Sequence, residues 1–125
     1  MRVAIRCSAV ILMLALAAPH FAWAGDVEAG KTDFKKCALC HTTEAGKNKV
    51  GPSLAGVVGR KAGTAEGYNY SDAMKNSGLT WDEATLNTYL TGPKKLVPGT
   101  KMAFPGLPNE QDRLDVIAYL KSAAQ

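Results

Sequence analysis

Residues 37 to 41 read Cys-Ala-Leu-Cys-His, and no other run limits this chain so much. Two thiols three residues apart occupy one turn of helix, so Cys37 and Cys40 can both reach the vinyl groups of one haem. The histidine that follows, His41, brings an imidazole under the iron. This is the pattern of c-type haem attachment, and haem iron commonly takes a proximal histidine. Taken alone, the five residues also suit a redox-active thiol pair. Two further features have to agree with the haem reading: how the chain is processed, and what supplies the sixth iron ligand.

The chain opens as an export precursor. Arg2 and Arg6 give a positive start, Cys7 to Ala18 is an apolar run, and Ala22-Trp23-Ala24 supplies a small-x-small cleavage site. The apolar run falls short of the roughly 20 residues that a spanning helix needs. A signal peptide over residues 1–24 is therefore expected rather than a membrane anchor. Cys7 stands at the start of the run and not at a cleavage site, which argues against lipid attachment. Removing 24 of the 125 residues leaves a mature chain of 101, residues 25–125. Its expected location is the periplasm.

Processing also changes the inventory. Cys7 and His20 leave with the signal, so Cys37, Cys40 and His41 are the cysteines and histidine that remain. A four-ligand zinc site cannot be assembled from these alone, and there is no second CxxC. The formal charge falls from +4 to +2, with 13 basic against 11 acidic residues. That is too weakly basic for nucleic acid to be the default partner. About 100 residues make one small domain, burying only roughly two-thirds of the unfolded surface. A covalently held haem would give such a chain the large apolar centre that its few aromatics and aliphatics cannot.

The pattern along the mature chain is helical with long connections. A short helix begins at Asp26-Val27-Glu28 and runs through Phe34 into the cysteines, its early acids suiting the helix dipole. Residues 42–67 are rich in Gly, Lys and Thr, show no period and read as loop. Ser71 to Lys75 reads as a helical turn. Thr80-Trp81-Asp82-Glu83 has the form of a capping box with Thr80 as the cap, opening a helix that stops before Gly92-Pro93. Asn109 caps a last helix that runs to about Ala123, with Leu114, Ile117, Ala118 and Lys121 at helical spacing and Tyr119 and Leu120 broadening the apolar stripe. Sustained strand alternation, internal repeats and signs of a second domain are all lacking.

In this order the motifs resemble those of a class I cytochrome c, of the bacterial c2 or mitochondrial-like type. They are Gly30 and Phe34, Cys37 to His41, Gly51-Pro52-Ser53-Leu54, Gly59-Arg60-Lys61, Gly67-Tyr68-Asn69-Tyr70-Ser71, Trp81, Tyr89-Leu90, Pro98-Gly99-Thr100-Lys101-Met102-Ala103-Phe104 and Val116 to Leu120. The resemblance covers nearly the whole mature chain. It implies an all-α, single-domain fold in which helices and loops wrap one covalently bound haem c. It implies a soluble, monomeric periplasmic electron carrier rather than an enzyme, passing single electrons from a quinol–cytochrome c oxidoreductase to an oxidase, reaction centre or reductase.

The resemblance also assigns residues. Met102, in the Pro-Gly-Thr-Lys-Met pattern, is the sixth ligand. Met74, the other methionine of the mature chain, sits in a helical context that suits a core filler. A thioether favours ferrous iron and raises the potential. The carbonyl of Pro52 orients the His41 imidazole. Tyr70, Trp81 and Arg60 engage a haem propionate, and Tyr89 and Thr100 pack near the methionine. Met74 stands where mitochondrial relatives often place a polar residue, so the hydrogen bonds around it are expected to differ from theirs.

Lysines gather beside both ligand segments: Lys35 and Lys36, Lys47 and Lys49, then Lys94, Lys95 and Lys101. Glu110, Asp112 and Asp115 lie on the last helix, which gives the chain a charge asymmetry. Such a field steers docking onto acidic surfaces of redox proteins or membrane respiratory and photosynthetic complexes, with Lys35, Lys36, Lys94, Lys95 and Lys101 as the docking set. Two other functions fit parts of the sequence. A haem enzyme or gas sensor needs a displaceable axial ligand, which Met102 in its loop disfavours. A thiol–disulfide exchange protein would use Cys37 and Cys40 directly, but the βαβ pattern it expects is missing.

Overall fold

The computed structural model of the protein describes residues 24–123, so the expected signal segment lies outside the described residues except for Ala24. Five α-helices follow in order: α1 (Val27–Asp33), α2 (Asp72–Lys75), α3 (Glu83–Thr91), α4 (Pro93–Leu96) and α5 (Glu110–Ala123). A 3-10 turn, Phe34–Lys36, joins α1 to the Cys37–Cys40 turn. Among the described residues strand pairing is limited to one isolated antiparallel bridge, Lys61 with Thr80.

Each helix start has a local cause. The Asp26 carboxylate accepts from the Ala29 N–H at 2.8 Å, and the Ser71 hydroxyl accepts from Met74 N–H at 3.1 Å. The Asn109 side-chain oxygen accepts from Gln111 N–H at 2.8 Å, placing the start of α5 where the sequence puts it. At α3 the outcome differs from the sequence reading. The cap is Asp82, which accepts from the Thr85 N–H at 2.7 Å, and not Thr80. Trp81 is held on both sides by loop backbone, donating to Arg60 O at 2.8 Å and accepting from Gly59 N–H at 2.7 Å. It cannot serve at the same time as the first helical residue. Helix α4 was not legible either: Pro93 ends α3 and then serves as the first residue of the next turn, where its missing N–H costs nothing.

The first and last helices cross in close contact. Gly30 of α1 lies so near α5 that a Cβ there would stand 1.9 Å from the Asp115 carbonyl oxygen. Phe34 and Tyr119 pack beside the crossing with ring centroids 5.1 Å apart. The buried face of α5 is Arg113, Asp115, Val116, Ile117 and Leu120, rotated from the expected stripe, with Leu114 only half-buried. Asp115 is thus 5 % exposed and is not one of the surface charges of the far helix. Arg113 is buried too, donating from Nη1 to Leu107 O at 2.7 Å and from Nε to Asn87 Oδ1 at 2.7 Å.

The long 42–67 segment is loop, as expected, and side chains hold it to the rest. Asn48 donates to Glu66 O and accepts from Ser53 N–H, each at 2.9 Å. Tyr68 donates its hydroxyl to Val50 O at 2.8 Å. The methionine loop returns to α3 through Leu107 N–H on Leu90 O at 2.7 Å. Gly106 permits that approach: its φ is +111°, and a Cβ would meet Thr91 O at 2.3 Å.

Replacing Gly30 with Ala should therefore break the crossing rather than tighten α1. The added methyl meets backbone, which cannot swing aside as a side chain can. A loss on the order of 2–3 kcal/mol is expected, read as a lower denaturation midpoint with an unchanged slope.

Candidate functional site

The core is not closed on itself. Phe34, Val57, Met74, Trp81, Leu86, Tyr89, Leu90, Val116 and Leu120 are all buried, and all face one cavity of about 380 Å³. Left open, these walls would present to water the apolar surface that a domain this small needs to bury. The apolar walls are thus built to be covered by a large apolar group.

The ten residues that the sequence assigns to cofactor binding all line this cavity: Cys37, Cys40, His41, Pro52, Arg60, Tyr70, Trp81, Tyr89, Thr100 and Met102. They come from the attachment turn, the loops before α2, before α3 and after α4, and α3 itself, with 65 positions separating Cys37 from Met102. Cys37 and Cys40 are free thiols held on a turn by Cys40 N–H to Cys37 O at 3.0 Å and His41 N–H to Cys37 O at 2.9 Å. Burial pushes the Cys37 thiol up, partly offset by Lys36 and reinforced by Asp33 and Cys40. Burial thus favours the protonated form of the Cys37 sulfur.

His41 is oriented from behind. Its Nδ1 lies 2.7 Å from Pro52 O, and since a carbonyl only accepts, Nδ1 carries the proton. Burial lowers the imidazole pKa, the Pro52 contact raises it and Lys49 lowers it, with the net direction down. The ring is neutral at pH 7, and Nε2 keeps its lone pair for a metal. Gly51 is packed against the ring face, where a Cβ would lie 2.3 Å from Cε1. Lys49 braces the same turn by donating from Nζ to Ala38 O at 2.7 Å.

At Met102 the polar contacts form a small network. The Tyr89 hydroxyl lies 3.4 Å from the sulfur and 3.3 Å from the Thr100 hydroxyl, which also accepts from Met102 N–H at 3.3 Å. Burial raises the Tyr89 pKa, and the Thr100 contact lowers it less. Tyr89 therefore stays a neutral donor. A divalent sulfur ringed by these weak contacts keeps a lone pair available.

The donor set at another part of the wall suits an acid. Arg60 spends Nη1 on Ala55 O at 2.9 Å and Nη2 on Ser53 O at 3.1 Å, while its Nε is buried without a partner. Tyr70 accepts from Ala65 N–H at 3.0 Å and retains its own proton to donate. Trp81 packs on Tyr89 with centroids 4.7 Å apart, and its indole N–H makes no hydrogen bond among the described residues. Two thiols, an imidazole, a thioether, an apolar hollow and unspent donors of this kind fit a haem with its carboxylates.

The lysines divide. Lys36 and Lys101 line the cavity, whereas Lys35, Lys94 and Lys95 are exposed and do not. Lys101 donates to Asn69 O at 2.9 Å, tying the methionine loop to residues beside Tyr70. Lys36 lies 4.0 Å from Asp33, and Lys47 pairs with Glu44. Sequence reasoning missed Leu39 and Val50, each 78 % exposed and both on the cavity rim. A leucine inside the Cys-x-x-Cys run was the only hint. It also missed the Lys49 brace, for which the sequence gives no signal.

The chain is similar to proteins already known. A family model described as Cytochrome c matches residues 27–124. A cytochrome c2 from Rhodoblastus acidophilus is 66 % identical over 98 residues, spanning 78 % of this chain and 92 % of the relative. A cytochrome c from Gibberella zeae is 53 % identical over 103 residues, 81 % of this chain and 97 % of its own. The structure of cytochrome cH from Methylobacterium extorquens superposes with a TM-score of 0.75 at 56 % identity, covering 78 % of this chain and 99 % of that one. The chain belongs to the cytochrome c family and has the class I cytochrome c fold. It is an electron carrier, not an enzyme, and its cofactor is one covalently attached haem c.

Substituting Gly51 with Ala should displace the His41 ring, since the methyl and the imidazole cannot share the space. The expected result is a destabilisation of about 2 kcal/mol and a shifted His41 Nδ1 proton resonance. An unmoved resonance at full stability would contradict the packing described.

Proposed function

We propose that this chain carries single electrons in the periplasm, between a membrane quinol–cytochrome c oxidoreductase and an oxidase, reaction centre or reductase. The observation that carries the reading is the convergence of the two thiols, His41 and Met102 on one apolar cavity. Cys37 and Cys40 would hold the haem by two thioethers, and His41 Nε2 and the Met102 sulfur would ligate its iron. When bound, the haem supplies a one-electron ferric/ferrous couple.

The chain's own residues supply the rest. Pro52 O and the Gly51 backbone fix the imidazole plane, so His41 moves little between redox states. Tyr89 and Thr100 restrain the Met102 side chain. With His41 and Met102 both ligating, the iron would have no position open to a substrate or gas, which disfavours a haem enzyme or gas sensor. The apolar wall excludes water, and a drier, less polarisable surrounding lowers the rearrangement that accompanies a change of charge. Arg60, Tyr70 and Trp81 would hold the propionates.

Location and partners follow from the same reading. Cleavage after Ala24 releases a soluble monomer of residues 25–125. Among the described residues no helix is long and apolar enough to cross a membrane. Lys35, Lys36, Lys94, Lys95 and Lys101 form the docking face for acidic partner surfaces. Asp115 drops out of the opposing acidic face, leaving Glu110 and Asp112 there.

Met102→Ala should keep the haem covalently attached, because attachment depends on Cys37 and Cys40. The ferric protein is expected to lose its weak sulfur-to-iron band in the red, bind cyanide or carbon monoxide readily and fall in potential. An unchanged spectrum would remove Met102 from the iron. Lys95→Glu should slow association with an acidic partner roughly three- to tenfold at low salt and flatten the salt dependence, leaving the potential nearly unchanged. Lys121→Glu gives the control: that lysine is engaged with Glu83 Oε1 at 2.6 Å on α3, and its reversal should slow association far less. Equal slowing by both would mean that the docking face lies elsewhere.

A further inference from the structure

We infer that the buried carboxylate of Asp115 is the binding site for the α-ammonium that signal cleavage creates at Gly25. The inference rests on the reading that cleavage falls after Ala24. Asp115 is 5 % exposed, and among the described residues no Lys, Arg or His lies within ion-pairing distance of it. Both of its hydrogen bonds land on Oδ1, from Asp26 N–H and from Gln111 Nε2, each at 2.7 Å. Two neutral donors leave a buried anion without a countercharge, a costly arrangement.

The geometry points to where that charge comes from. Gly25 is pressed against α5, where a Cβ would stand 2.1 Å from Leu114 O and 2.9 Å from the Ala118 Cβ. Asp26 N is 2.7 Å from Asp115 Oδ1, and covalent geometry puts the preceding nitrogen no more than about 3.7 Å further on. The Gly25 nitrogen therefore lies at most about 6.4 Å from Oδ1 whatever the peptide angle, so that only its most extended placement falls outside the roughly 4–6 Å range at which opposite charges act strongly. In the precursor this nitrogen is a neutral amide. Cleavage hydrolyses the Ala24–Gly25 peptide bond: water adds, Ala24 keeps a carboxylate on the leaving segment, and Gly25 keeps an ammonium. It also removes the Ala24 carbonyl, which Gln111 Nε2 contacts at 3.4 Å. Processing thus turns an unbalanced buried anion into an ion pair at the crossing of the first and last helices.

The test uses haem-loaded protein secreted by its own host. Intact mass comes first: a chain starting at Gly25 with a free amine satisfies the premise, and any other terminus overturns both the cleavage site and the pair. Guanidinium unfolding is then compared for free and N-acetylated Gly25, in the native chain and in Asp115→Asn. Acetylation should raise the unfolding equilibrium constant about tenfold in the native chain, and have little effect in Asp115→Asn. An equal effect in both backgrounds overturns the pair while the cleavage stands. Should Asp115→Asn fail to fold, selective dimethylation of the Gly25 amine decides, because it keeps the charge. The dimethylated protein should match the free amine, and equal loss in the dimethylated and acetylated proteins overturns the inference.

Discussion

Helices α2, α3 and α5 and the loops between the helices are arranged around a hollow that their own side chains do not fill. The residues that would form a closed hydrophobic core in another small domain instead form a wall, with Phe34, Trp81, Tyr89, Leu90, Val116 and Leu120 presenting apolar faces to one cavity. The group that covers them is therefore part of the core as much as part of the chemistry. Placement of the cofactor and stability of the fold are coupled here, because loss of the filler would expose apolar surfaces of the helices.

Apart from the Tyr89–Thr100–Met102 network, polar groups around that wall are placed by backbone rather than by one another. His41 faces Pro52 O, Arg60 faces the carbonyls of Ala55 and Ser53, and Lys101 faces Asn69 O. Irregular loops supply such carbonyls because their backbone is not consumed by helix or sheet ladders. The long 42–67 segment is thus the scaffold for the site, and its scarcity of secondary structure is what makes its acceptors available.

The chemistry of the site was legible in the sequence to an unusual degree, because attachment demands a fixed local spacing. Cys37, Cys40 and His41 announce themselves within five residues, and the turn-bracketed Met102 needed only the wider order of motifs to stand out from Met74. What was hidden depended on direction in space. Thr80 and Asp82 are both acceptable caps, and the choice fell to Asp82 because Trp81 is tied to the loop at Arg60 and Gly59. Asp115 looks like any acidic residue on an amphipathic helix, yet it turns inward. A rotation of α5 by part of a turn decides that, and spacing alone does not encode it. Leu39 and Val50 were missed for the opposite reason, since exposure of an apolar side chain has no signature of its own.

The crossing of α1 with α5 joins residues 89 positions apart, through Asp26 and Asp115. Chains are made from the N-terminus, so the first helix waits for its partner until nearly the last residue has been added. Closing so long a loop is slow compared with forming a turn. During that interval the part of the cavity wall supplied by Val116 and Leu120 is missing. The attachment residues thus emerge before the cavity they line is complete, and the topology sets the length of that interval.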